Sequence, residues 1–418
     1  MTNAPTFPRL FASLGDGQSF QAHVERYGHR PQLDGRTKST EAFIALLEAA
    51  QLTGRGGGVV AAAAKLRFLR SARKTHVVIN AMEGEPASSK ATALLEVAPH
   101  LIFDGASLLA EALGSTSVTL AIASDDHRSA EFAEAALANR HDPIAISVVR
   151  PPGRYVAGEE SALVNWIDRG VSLPTFRATK PSFVTIGRQA ALVHNLETLA
   201  HIGHIGRFGA DWFRQVGAVN APGTVLITVS GAVARPSTVE WINGGTLGAL
   251  LDSLGGSPSN FQGALLGGYG GTFVGAASRE IALDEWSLRS AGATLGPGIV
   301  VALPMNSCPL METSRIVTWM ARESAGQCGP CVYGLPTLST DLHDFVTNRR
   351  SKTSLHRIEG RLREIEGRGA CRHPDGVVRL VRSAMKAFSS HVDGHVAQGP
   401  CRELHAPSVL TWPKEISR

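Results

Sequence analysis

The chain has 418 residues, of which 43% are hydrophobic and 18% charged, and a formal net charge of +5. That length exceeds one ordinary compact core, so two or three domains are expected, and the composition excludes a disordered or fibrous chain. No apolar run approaches the roughly 20 residues that span a bilayer, and "MTNAPTFPRLFASLGDG" lacks the basic-then-apolar layout of a secretory signal, so the expected place is the cytoplasm.

"TEAFIALLEAAQL" (40–52) carries apolar residues at helical spacing. It leads into "TGRGGGVVAAAAK" (53–65), where Gly54, Gly56, Gly57 and Gly58 surround Arg55 and an alanine-rich, helix-favouring run ends at Lys65. Consecutive glycines let backbone N–H groups approach an anion, and a helix N-terminus adds partial positive charge. The loop follows a helix rather than a strand and lacks a G-K-[ST] ending, so it is neither a standard dinucleotide fingerprint nor a P-loop. A plain surface turn is the competing reading.

"HVVINA" (76–81), "SVTLAIAS" (117–124) and "IAISVV" (144–149) read as strands, and "SAEFAEAALANR" (129–140) as a helix capped by its serine. Strand, helix, strand at this spacing predicts an α/β layer with a largely parallel sheet. "NAMEGEP" (80–86) puts Asn80, Glu83 and Glu85 at the end of a strand, where open α/β sheets bind ligands. "YVAGEESAL" (155–163) adds Tyr155, Gly158, Glu159 and Glu160. Paired glutamates are usually solvated, and a helix N-terminus accounts for part of this pair. Taken together the clusters suit a nucleotide, with amides on phosphate and carboxylates on ribose hydroxyls.

After "VNAPG" (219–223) the pattern changes: "TVLITVSGAV", "TVEWI", a short helix in "NGGTLGALLDSLGG", and strands in "ALLGGYGGTFV" suggest a small β-grasp-like module. From about residue 308 the chain is helical again, through "METSRIVTWMARES", "STDLHDFV", "HRIEGRLREIEGR" and "GVVRLVRSAMKAFSSHV". The basic stretch "NRRSKTSLHR" (348–357) reads as a solvated face, or as a docking patch for an acidic partner or membrane surface; with no aromatics interleaved, it is not a nucleic-acid site. Five cysteines, Cys308, Cys328, Cys331, Cys371 and Cys401, all lie in this last part, and an odd number without a secretion signal favours metal or redox chemistry over a disulfide framework.

In order and spacing these motifs resemble the NADH-binding flavoprotein subunit of respiratory complex I and the related subunits of NAD-reducing hydrogenases and NAD-dependent formate dehydrogenases. The similarity runs from roughly residue 45 to 390. The family's G-R-G-G-A-G-F-P-T-G-L-K stands here as "GRGGGVVAAAAK", its N-A-D-E-S-E-P as "NAMEGEP", and its Y-x-x-G-E-E-T-A-L as "YVAGEESAL". "KPSF" (180–183) resembles K-P-P-F, and "VHNLETLA" (193–200) resembles V-N-N-V-E-T-L-A.

The resemblance implies an α/β plus α+β fold: a Rossmann-like FMN domain (1–217 with the N-terminal segment), a β-grasp domain of the SLBB type (218–300) and a C-terminal helical bundle (301–418). It also implies that Gly56, Gly57, Lys65, Asn80, Tyr155, Gly158 and Asn195 hold FMN, with Gly54, Arg55, Glu83 and Glu159 in the matched motifs. Glu85, Glu160, Lys180 and Phe183 would line an NADH site, positioning the nucleotide rather than acting as acids or bases. Val60 stands in place of the family's stacking phenylalanine, Met82 in place of an aspartate, His194 of an asparagine, and Ala62 and Ala63 of a Thr-Gly pair.

The family's cluster motif S-C-G-x-C-x-P-C appears as "SAGQCGPC", with Ala325 at the position of the first ligand. Cys328, Cys331 and Cys371 match the other three. A 4Fe–4S or 3Fe–4S cluster is implied, with water, Glu323, His373, Cys308 or Cys401 as candidates for the missing ligand. Zinc on the same thiolates, or a thiol pair, remains open. The expected role is electron transfer from NADH or another reduced donor through FMN and the metal centre to a partner. That partner would be another subunit, a ferredoxin or a membrane-bound acceptor, with the chain cytoplasmic or held at the inner face of the membrane. The alternative is a non-catalytic scaffold subunit that has lost NADH oxidation or the cluster.

Overall fold

Short β-branched runs build a five-stranded sheet in the computed structural model, which describes residues 7–12, 18–34, 37–176, 184–348 and 351–413. Its strands are β1 (Thr75–Ala81), β2 (Val118–Ile122), β3 (Ile146–Val149), β4 (Thr185–Ile186) and β5 (Gln189–Asn195), in the order β3-β2-β1-β5-β4. All are parallel except β4. The chain leaves β1 towards β2 on one side and returns to β5 on the other. The crevice beyond the C-terminal ends of β1 and β5 is therefore a topological switch point, the place where such sheets take ligands. Asn80 and Asn195 are register partners at that edge.

Helices Pro99–Leu113 and Leu196–Arg214 cross at very close range. A Cβ on Gly105 would sit 1.9 Å from the Leu199 carbonyl oxygen, and one on Gly203 would sit 2.6 Å from that of Leu101, so only glycine fits at either. The helix after β2 begins at His127, two residues before Ser129. Its cap is Asp126, whose Oδ1 accepts the Ser129 N–H at 3.0 Å, so Ser129 is a capped residue and not the cap. The helix after the glycine loop spans Ala62–Leu69, running beyond Lys65.

A two-residue hairpin, β6 (Gly217–Ala218) and β7 (Ala221–Pro222), leads into a second sheet. It contains β8 (Thr224–Gly231), β9 (Ser237–Ile242), β10 (Gly263–Leu266), β11 (Thr272–Gly275) and β12 (Ile299–Leu303), ordered β11-β10-β12-β8-β9. Only β12 and β8 pair in parallel. Strand alternation divides β10 and β12 between two cores. Ala264, Leu266, Val300 and Ala302 pack with the helix Leu247–Ser253, while Leu265, Ile299, Val301 and Leu303 face the C-terminal helices.

Those helices are Pro309–Arg322, Leu335–Thr347, Ser351–Ile365 and His373–Ala387, with a shorter fifth, Ser389–Gln398. The run expected as one helix through "GVVRLVRSAMKAFSSHV" is broken at Phe388 (φ −118°, ψ 39°), whose ring turns into the core against Phe273. In the basic stretch, positions 349–350 lie outside the described residues, and Arg357 pairs with Asp341 at 2.7 Å. Among the described residues no single helix is long and apolar enough to cross a membrane.

Candidate cofactor site

A cavity of about 700 Å³ opens at the switch point, walled by the glycine loop, the ends of β1 and β5, the second sheet and the helical bundle. Gly54, Gly56, Gly57, Lys65, Asn80, Glu83, Glu85, Tyr155, Gly158, Glu159, Glu160 and Asn195, all singled out from sequence, line it. Arg55 does not. Its guanidinium turns beneath the loop, donating to the Thr53 hydroxyl at 3.0 Å and the Pro222 carbonyl at 3.2 Å. Lys180 and Phe183 lie outside the described residues.

The loop gives the cavity a wall made largely of glycine. Gly57 holds φ +94°, which L side chains rarely adopt, and a Cβ on Gly58 would meet nothing within 4 Å. Val59 sits at φ 46°, strained for a β-branched residue. The loop is pinned from behind, where the Arg55 N–H donates to Thr198 Oγ1 (2.9 Å) and the Lys90 ammonium donates to the Arg55 carbonyl (2.9 Å). Lys90 also donates to Glu197 Oε2 at 2.8 Å, and Glu197 Oε1 accepts the Leu226 N–H at 2.8 Å, so one buried ion pair ties loop, helix and second sheet together. "VHNLETLA" contains Glu197; nothing in the sequence marks Lys90 as its partner.

Asn80 and Asn195 are both held rigid. Asn80 Nδ2 donates to the Gly158 carbonyl (3.0 Å) while its Oδ1 accepts the Met82 N–H (3.0 Å). Asn195 caps the following helix by accepting the Thr198 N–H at 3.0 Å. Lys65 donates to the Val193 carbonyl at 3.2 Å and to Glu160 at 3.4 Å. Beside it, His194 is buried with Nε2 unpartnered; burial, then the Lys65 charge, pull its pKa down to about 3, so it is neutral.

The acidic strip also has structural duties, of which the sequence disclosed only the helix N-terminus at Glu159 and Glu160. Glu83 accepts the N–H groups of Ala91 (2.9 Å) and Thr92 (3.3 Å), capping one helix, and Glu159 accepts those of Ser161 (2.9 Å) and Ala162 (3.0 Å), capping another. Glu85 crosses between units: it accepts the Tyr155 hydroxyl at 2.8 Å and the Tyr269 N–H at 2.9 Å. Burial raises its pKa to about 7 against the pull of those bonds and a further one from the Gly270 backbone.

The cavity reaches the cysteines, for Cys371, His373 and Arg379 complete its wall. Cys331, buried and a free thiol, lies near Cys328 and Cys371; burial pushes its thiol up to about 12, with Cys328 next in effect. Cys371 is raised by burial too. The candidates for the position left by Ala325 fare unequally. Glu323 Oε2 accepts the Tyr155 N–H at 3.0 Å, and Cys308 and Cys401 gather elsewhere with His395. His373 donates from Nε2 to the Met320 carbonyl (2.9 Å) and keeps a buried, unpartnered Nδ1. Unpartnered imidazole nitrogens on two walls and an open glycine cradle fit a flavin nucleotide; three clustered thiols fit an iron–sulfur group.

Two family models match the chain: the Nuo51 FMN-binding domain over residues 47–204 and the NADH-ubiquinone oxidoreductase-F iron-sulfur binding region over residues 312–395. The chain belongs to this flavoprotein family. An NADH-quinone oxidoreductase subunit of Rhizobium meliloti (strain 1021) is 26% identical over 379 residues, covering 86% of this chain and 90% of its own. The corresponding NADH-quinone oxidoreductase subunit of Mycobacterium bovis is 26% identical over 404 residues, covering 92% and 91%. The fold is shared with a chain of the NAD+-reducing NiFe hydrogenase in its air-oxidized state, at a TM-score of 0.78 and 24% identity. That match covers 90% of this chain but 65% of the hydrogenase chain. As a relative of these oxidoreductase subunits, the chain carries an FMN-binding and an iron–sulfur region in the family order, with Ala325 where the motif has its first cysteine.

Proposed function

We propose that the protein is the flavin-bearing electron-transfer subunit of a larger redox assembly, oxidising NADH and passing electrons to a partner. The observation that carries this reading is one cavity bounded by the glycine cradle at one end and Cys371 at the other. When bound, FMN would take two electrons together from a nicotinamide and an iron–sulfur cluster would carry them away singly. Gly56, Gly57 and Gly58 offer backbone N–H groups to phosphate, with Lys65 supplying positive charge and Asn80 and Asn195 presenting fixed amides. Cys328, Cys331 and Cys371 would hold the cluster. Glu160, which pairs with Lys65 at the cavity wall, is the carboxylate with which a nucleotide hydroxyl would bond, while for Lys180 and Phe183 only the resemblance implies a nucleotide contact. The relatives' names, as subunits, support partner subunits here; we further propose that the acceptor is a ferredoxin or a membrane-bound redox protein, which would hold the chain at the inner face of the membrane.

A second reading, a scaffold that has lost catalysis, is favoured by Val60, which stands 45% exposed at the cavity with no aromatic face to stack on a nicotinamide. The anaerobic visible spectrum of the reconstituted protein before and after NADH separates them. Flavin bands that bleach on addition are expected. Gly58→Asp, whose side chain enters open space, should keep the fold and lower flavin affinity at least tenfold by placing a carboxylate in the cradle. Flavin that binds but is not reduced by NADH would leave the scaffold reading standing.

A further inference from the structure

The two cysteines outside the cluster motif meet in space. Cys308 ends the connection from β12 and forms the cap of the helix Pro309–Arg322, and His395 lies on Ser389–Gln398. Cys401 stands just ahead of the short turn Arg402–His405. Their ligand atoms, two Sγ and one imidazole nitrogen, all fall within 4.8 Å of one another, and Cys308 Sγ is 3.7 Å from His395 Nε2. We propose that Cys308, His395 and Cys401 bind a zinc ion, a site separate from the flavin cavity and from Cys328, Cys331 and Cys371.

The spacing suits a mononuclear ion. With Zn–S of about 2.3 Å and Zn–N of about 2.05 Å, a tetrahedral angle puts sulfur and nitrogen about 3.6 Å apart. Thiolates around a cubane stand further apart, since each binds a different iron. Two thiolates and a neutral imidazole form a soft donor set of charge −2 that a divalent zinc neutralises. The surroundings are already arranged for it. Cys308 Sγ accepts the Met311 N–H at 3.4 Å at a helix N-terminus, which holds the sulfur in place. His395 presents Nε2 to the sulfur, donates to the Val346 backbone, and packs on Phe345. Cys308 and His395 are 2% and 1% exposed, whereas Cys401 is half-buried, leaving a route in and a fourth position for water on its side.

The site would act as a clip. Beyond Cys401 the chain runs back across the bundle: Ser408 bonds to Glu312, and Trp412 packs on Tyr269, the residue whose N–H holds Glu85 at the flavin cavity. Fixing Cys401 to Cys308 therefore fixes the strap that backs that contact.

The test uses the full chain carrying Cys328→Ser, Cys331→Ser and Cys371→Ser, which removes the other thiols. Titration with cobalt(II) should give thiolate-to-metal charge-transfer absorbance saturating at about one equivalent, displaced by zinc. Adding Cys401→Ser should abolish it, and His395→Gln should weaken binding at least tenfold. Absence of the absorbance, or its survival in Cys401→Ser, overturns the proposal. Because such variants can fail to fold, the wild-type chain is also alkylated with and without zinc and mapped by mass. Protection of Cys308 and Cys401 by zinc is expected; equal labelling, or a Cys308–Cys401 disulfide in the freshly isolated protein, overturns it.

Discussion

Glu85 shows how little a residue's type says about its duty. From its place after β1 it resembles a nucleotide ligand, yet in the fold it also joins Tyr155 to Tyr269. Its carboxyl is raised from 4.5 to about 7, so the folded protein prefers the protonated form. The stability this contributes is complete below pH 4.5 and is lost as the pH climbs through 7. Ionisation of Glu85 should therefore lower the denaturant midpoints of the apo protein as the pH rises from 5 to 8. Glu85→Gln, which keeps an acceptor for Tyr269 and a polar partner for Tyr155, should flatten part of that fall. Identical slopes in variant and parent would remove Glu85 from the account. Buried Glu83, Glu240 and Glu312 act in the same direction, whereas buried His100, His194 and His204, neutral in the fold, add stability as the pH rises towards 6.5, so the difference between parent and variant is the quantity that reads Glu85.

Among the elements, the crossing of Pro99–Leu113 with Leu196–Arg214 sets the position of Asn195, the residue immediately before the second helix. Gly105→Ala would drive a methyl into the Leu199 carbonyl, and displacement of that backbone should cost about 1–3 kcal/mol. Thermal unfolding should register the loss, and flavin affinity should drop with it because Asn195 moves; unchanged stability would mean that the helices separate freely. This level was also where the sequence was most and least informative. β1 and β2 announce themselves as β-branched runs, and the glycine loop and cysteine spacing locate two walls of the cavity. The break at Phe388 has no glycine or proline to mark it, since it follows from where the ring packs. The Lys90–Glu197 pair and the Cys308–His395–Cys401 group join residues far apart in the chain. Local periodicity carries no information about such meetings; they are set by how whole elements dock.

Across the whole molecule, β10 and β12 serve two cores at once. A chain ending at Leu303 would bare Leu265, Phe273, Ile299, Val301 and Leu303, a continuous apolar face. It should bind hydrophobic dyes and aggregate, whereas the full chain should not; a soluble, dye-silent truncation would show that the first two units need no bundle. The cavity has the same shared character, with walls drawn from the α/β sheet, the second sheet and the bundle. Anything that fills it bears on all three, and at one hundred times its Kd a ligand adds about 2.7 kcal/mol to the assembled state. The vitamin supply of the cell would then set more than the number of active copies. Chains made when riboflavin is short would be looser at their seams and more open to proteases, so abundance itself would track the nutrient.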